Sequence, residues 1–161
     1  MRIWAALILA SAAAACSPPP PALERSTLVL NHQDGSVPPP YHREWRITIP
    51  PDGPGTLTYW PGYEGSGVVP AERTFPVPPA RRAALVQAMQ AAGVTTRRWR
   101  TDAPPSVGGG SEQIEVRGGG RTLVIPGALP AADEKRLAPV RAAFDDAVPK
   151  DVWQSTRDAG R

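Results

Sequence analysis

Apolar and polar residues alternate one for one at several places in this chain. Trp45, Ile47 and Ile49 alternate with Arg46 and Thr48, and Leu57 and Tyr59 alternate with Thr56 and Thr58. Period two puts every second side chain on one side of a strand, so each run predicts a strand with one apolar face. Between them stands Pro50-Pro51-Asp52-Gly53-Pro54-Gly55, a dense turn signal that makes the pair a hairpin. Residues 26–31 predict a preceding strand, broken by Asp34-Gly35 and Pro38-Pro39-Pro40. A second hairpin follows the same rule. Ile114 and Val116 share a face, Gly118-Gly119-Gly120 turns the chain, Leu123 and Ile125 return in phase, and Pro126 closes the pair. Residues 73–77 predict a short edge strand, since Pro76 has no N–H to donate to a ladder. Residues 94–100 read as extended.

Elsewhere the period lengthens to that of a helix. Leu85, Ala88, Met89 and Ala92 recur at i, i+3, i+4 and i+7 behind Pro78-Pro79, and Gly93 follows as the residue past the end. Residues 131–147 carry Leu137, Val140 and Phe144 as an apolar stripe, with Asp133 and Glu134 at the positive end of the helix dipole. Pro139 inside this pattern predicts a kink or two short helices, and Pro149 a stop. Val152 and Trp153 are expected to dock on the core, and residues 156–161 to form a frayed tail. Strands joined by hairpins, each group followed by a helix, predict an α+β fold: a small antiparallel sheet with two helices packed on one side. The domain spans residues 26–155. Hairpin then helix occurs twice, an echo too weak to define a repeat.

Composition adds limits. The chain has 161 residues, enough for one domain with a modest core, and its 21 Pro and 15 Gly fall between the periodic segments as punctuation. The formal net charge is +3, too small to imply a nucleic-acid partner. There is a single cysteine, so no intrachain disulfide can staple the fold.

That cysteine has a distinctive setting. Arg2 precedes an apolar stretch over residues 3–15, which is short for a membrane-spanning helix and ends in Ala13-Ala14-Ala15-Cys16. Small residues before a cysteine suit lipoprotein signal peptidase, and the segment resembles the lipobox of bacterial lipoproteins, with Ala13 where Leu is usual. The resemblance implies diacylglycerol on the Cys16 thiol, cleavage after Ala15, and acyl chains that hold the protein on a membrane. Ser17 at the next position favours the outer membrane under the enteric sorting rule. On this reading residues 1–15 are the signal peptide and residues 16–25 the lipidated cysteine and tether. Within it Ser17-Pro18-Pro19-Pro20-Pro21-Ala22 predicts a polyproline spacer that lifts the domain from the membrane. In layout alone, the rest is similar to small α+β lipoproteins of Gram-negative envelopes, a likeness that assigns no binding or catalytic residue.

Candidate chemistry is sparse. His32 and His42, with Asp34 and Glu44, supply ligand types for a metal, but their spacing fits no known metal motif, and no cofactor is expected. Ser66 and Ser111 lack the strand-to-helix elbow of a nucleophile. Asp133-Glu134 and Asp145-Asp146 are neighbours on a helix, about 100° apart, and cannot share a proton. Neither Gly108-Gly109-Gly110 nor Gly118-Gly119-Gly120 opens a helix as a phosphate cradle must. The most distinctive polar patch is Arg97-Arg98-Trp99-Arg100, near Arg81 and Arg82 in sequence. It suits contact with phosphate groups, anionic headgroups or an acidic protein; equally, Trp99 is core and the arginines face water. Trp60 and Tyr63, if exposed, form a second candidate contact site; equally, they are core. These features favour a non-enzymatic binding or accessory module, with an envelope protein or anionic envelope component as partner. The alternative is a periplasmic hydrolase or enzyme inhibitor.

Overall fold

The strand Thr27–Gln33 (β1) is paired on both sides. Its neighbours are Glu44–Ile49 (β2) and Ser111–Gly118 (β5), each antiparallel to it. Gly55–Trp60 (β3) and Ala71–Phe75 (β4) extend the sheet beyond β2, and Arg121–Ile125 (β6) extends it beyond β5. The result is one six-stranded sheet, ordered β4-β3-β2-β1-β5-β6 and antiparallel throughout. This computed structural model describes residues 19–38, 41–101 and 109–159. The signal segment, Cys16 and Ser17 lie outside the described residues.

Three helices complete the fold: Pro79–Ala92 (α1), Ala131–Ala147 (α2) and Lys150–Ala159 (α3). The α+β class and the antiparallel sheet expected from the periodicity are what the chain forms. The register explains the one-sidedness. Leu28 opposes Ile49 and Val116, and Leu30 opposes Ile47 and Ile114, so one face is a continuous apolar sheet. Leu85, Met89, Leu137, Val140 and Phe144 close over it in a single core. Each of these five helix residues is at most 1% exposed. The other face carries no helix among the described residues. It presents Asn31, Arg46, Thr48, Thr56, Thr58, Gln113 and Glu115, with Val29 at its centre.

The second hairpin turns through Gly119 and Gly120 alone, with φ +58° and +72°. A two-residue loop with positive φ at both positions matches the strand twist, and glycine meets that need without strain.

Three details differ from the sequence expectations. First, α2 is one continuous helix through Pro139. Pro139 and Lys135 are both exposed, so the carbonyl left without its N–H faces water, while Leu137 and Val140 keep packing inward. Second, residues 94–97 form a turn and not a strand. Gly93 takes a left-handed conformation, φ 73°, Val94 N–H reaches back to the Met89 carbonyl, and Arg97 N–H to that of Gly93. Third, the described residues form a third helix beyond the two expected, and the chain after Ser155 does not fray: α3 runs to Ala159. Thr156 is fully buried and its hydroxyl donates to the Val152 carbonyl at 2.6 Å. The helix packs against β3 and β4, closing the far edge of the core. None of the helices among the described residues is long and apolar enough to cross a membrane.

Candidate functional site

The strands end at two poles. At one, β1 leaves the sheet and β2 enters it, and both histidines sit there. His42 is fully buried. Its Nδ1 faces the Gly35 carbonyl at 3.1 Å and its Nε2 faces Glu44 Oε1 at 2.8 Å. Tyr63 stacks on the ring, 3.6 Å between centroids, and its hydroxyl donates to the Val37 carbonyl. The second oxygen of Glu44 accepts the Glu64 N–H at 2.8 Å. Thus one buried carboxylate ties the β1–β2 connection to the loop after β3.

From Glu64 a chain of polar contacts crosses the open face. Arg46 pairs with Glu64 at 3.2 Å, lies over the Trp60 ring at 5.1 Å, and donates from Nε to Asn31 Oδ1 at 2.6 Å. Asn31 donates to Glu115 at 2.8 Å, and Glu115 pairs with Arg117 at 2.7 Å. Asn31, Gln33, Arg46, Glu64, Gln113 and Glu115 are among the residues lining a cleft of about 180 Å³.

His32 projects to the helix side, where it stacks flat on Trp45 at 4.7 Å; Trp153 of α3 meets Trp45 edge-on at 5.2 Å. Its ring nitrogens face Glu112 at 3.1 Å and Asp34 at 3.2 Å. The hydrogen bond with Glu112 is the main reason its pKa is raised; burial opposes this, and Asp34 adds to it. The same bond is the main reason the Glu112 carboxyl is pushed down. Arg141 brings α2 into the cluster, with Nε 2.7 Å from Glu112 and a second contact to Glu134. The Nε contact is close yet makes no hydrogen bond, so its attraction is Coulombic, off the N–H axis. Asp145 stands near this cluster with its pKa raised, first by burial, then by repulsion from Glu112 and Asp146.

Asp34 therefore belongs to His32, and Glu44 to His42. The first pair faces the helices and the second the open side, so the four residues do not converge. Among the described residues no group of three or more His, Cys, Asp or Glu side chains is arranged to hold a metal ion. Nor does either imidazole there hydrogen-bond a hydroxyl or thiol, the contact that activates a nucleophile. Ser66 caps its own turn by donating to the Tyr63 carbonyl, and Ser111 begins β5.

The proposed contact residues divide. Trp60 is 7% exposed beneath Arg46, and Tyr63 is half-buried on His42, so the candidate exposed aromatic pair does not form. Trp60 is the last residue of β3 and lies on the open face beneath Arg46, while the loop after it folds back and sets Tyr63 on His42. Arg97, Arg98 and Arg100 are exposed, while Trp99 packs on the core and donates to the Val94 carbonyl at 3.1 Å. Arg97 is engaged with Asp133 at 3.2 Å. Arg81 contacts Asp146, and Arg82 turns to backbone carbonyls, so the arginines do not pool into one patch. Since α1 packs on the helix face and Trp60 points to the open one, the arginine turn and Trp60 do not share a face. Glu112, Arg141, Asn31 and Glu64 had no signal in the sequence; each meets its partner only through strand pairing or helix docking. No protein-family model and no curated protein matches the chain.

Proposed function

We propose that this chain is a lipid-anchored lipoprotein of the cell envelope, held by Cys16 at the outer membrane and facing the periplasm. Its domain acts as a non-enzymatic binding or accessory module for an envelope protein or an anionic envelope component. One observation carries the binding half of this reading. Among the described residues helices cover the sheet on one side only, and on the other side amide, carboxylate and guanidinium groups converge around a cleft while both histidines are spent on internal pairing. The anchoring half is supported by the lone cysteine at the end of an apolar leader.

Crosslinking in intact cells tests both halves. The full-length chain would carry a photo-crosslinker at Gln33 or Gln113, followed by mass spectrometry of the membrane fraction. Partner adducts at these positions and a lipidated Cys16 peptide are expected. Adducts absent from both positions would overturn the binding module, and membrane retention of Cys16→Ser would overturn the anchor.

A further inference from the structure

The pole opposite the histidines receives the N-terminal segment. Arg82 donates to three backbone carbonyls there, those of Leu23, Glu24 and Ser26, at 3.0–3.2 Å. Leu23 is 4% exposed within the core, and the Ser26 hydroxyl donates to the Ala22 carbonyl at 2.7 Å. Upstream, Arg121 donates to the Pro19 carbonyl at 3.2 Å. Pro19, Pro20 and Pro21 line one wall of a groove of about 500 Å³, with Arg25, Gly119 and Arg121 among its other walls. The described part of the proline run is therefore seated on the domain and does not stand away from it as a spacer.

This seating sets a distance. Three chain steps separate Cys16 from Pro19, and fully extended they reach about 10 Å. A cysteine carrying acyl chains lies at the headgroup level, so the groove pole lies within about 10 Å of it. The strands run away from that pole for about 20 Å, seven residues in β1. Arg25 and Arg121 stand at the groove, and guanidinium groups suit phosphate.

We infer that the domain rests its groove pole, formed by residues 19–26 and the β5–β6 turn, on an anionic bilayer surface. Arg25 and Arg121 lie toward lipid phosphates, and the His42–Tyr63–Glu64 pole points away from the membrane. This rests on the reading that Cys16 carries lipid; the seating of the chain adds the orientation. A tether meant to lift the domain would leave both poles equally free.

Cys16 is the only native cysteine, and lipid would block its thiol. A single new cysteine can then be labelled alone. The full-length protein, carrying Thr122→Cys beside the groove or Ser66→Cys at the far pole, would be labelled with an environment-sensitive fluorophore. Each would be placed in phosphatidylcholine–phosphatidylglycerol vesicles containing a headgroup-region quencher lipid, and the Cys16 peptide weighed. The expected result is strong quenching at residue 122 and little at residue 66. Arg25→Gln and Arg121→Gln should each shift the orientation equilibrium about fivefold toward the undocked state in anionic vesicles. A lipidated peptide with equal quenching at both positions would overturn the orientation alone. An unlipidated peptide would overturn the anchor and the orientation with it.

Discussion

His32→Gln probes the cluster that joins β1, β5 and α2. In the folded protein His32 meets two carboxylates and the face of Trp45, with its side chain 23% exposed. Hydrogen bonds to a charged group contribute about 1.5–3 kcal/mol each at best, and partial exposure lowers that. The stacked ring adds about 0.5–1.5 kcal/mol. A loss of about 2–3 kcal/mol is expected where the imidazolium–carboxylate pair is intact. Its pH dependence follows from two opposite shifts. The His32 pKa is raised above 6.5, so its stabilisation is complete below 6.5 and disappears as pH rises through the folded value. The Glu112 pKa is lowered below 4.5, so its stabilisation is complete above 4.5 and disappears as pH falls through the folded value. The wild-type advantage over His32→Gln should therefore be greatest between 4.5 and 6.5 and shrink on the alkaline side. Urea unfolding of both full-length proteins from below 4.5 to well above 6.5, followed by tryptophan fluorescence, measures that advantage directly. An advantage that is flat with pH, or that grows as pH rises past the His32 transition, would refute the pairing.

Other substitutions test other joints. Gly118→Ala should cost about 1–3 kcal/mol in a denaturant titration, because the added methyl would run into the Ser26 side chain, which lies beside Gly118 just ahead of β1. Phe144→Ala, at a side chain 0% exposed, should cost about 3–5 kcal/mol and lower the thermal midpoint accordingly. Arg82→Met should speed amide hydrogen exchange across residues 23–26 while leaving the centre of the sheet protected, since three carbonyls lose their common donor. Deleting residues 156–161 should destabilise the protein by about 1–2 kcal/mol, because it removes the buried Thr156; a tail that frays would leave the unfolding midpoint unmoved.

What the sequence by itself determined is local and periodic. Alternation at 45–49 and 56–59, the Gly118-Gly119-Gly120 run and the 3.6-residue stripe through Leu137, Val140 and Phe144 place strands, hairpins and helices, because each depends on neighbours a few residues away. The same alternation identified which side chains build the core. Only the tertiary structure decided the strand order, which puts β5 beside β1, and with it the partner of each polar group. His32 and Glu112 are 80 residues apart in the chain and meet because two strands happen to pair in one register. Trp60 and Tyr63 look like candidate contact residues beside a loop of Pro and Gly, yet strand pairing puts Trp60 at the end of β3 under Arg46, and the fold of the loop puts Tyr63 on His42. Residues 156–159 look like a polar tail until the β3–β4 edge gives their helix a surface to bury against. In each case the deciding energy comes from a contact whose partner is remote in sequence, and periodicity carries no information about it.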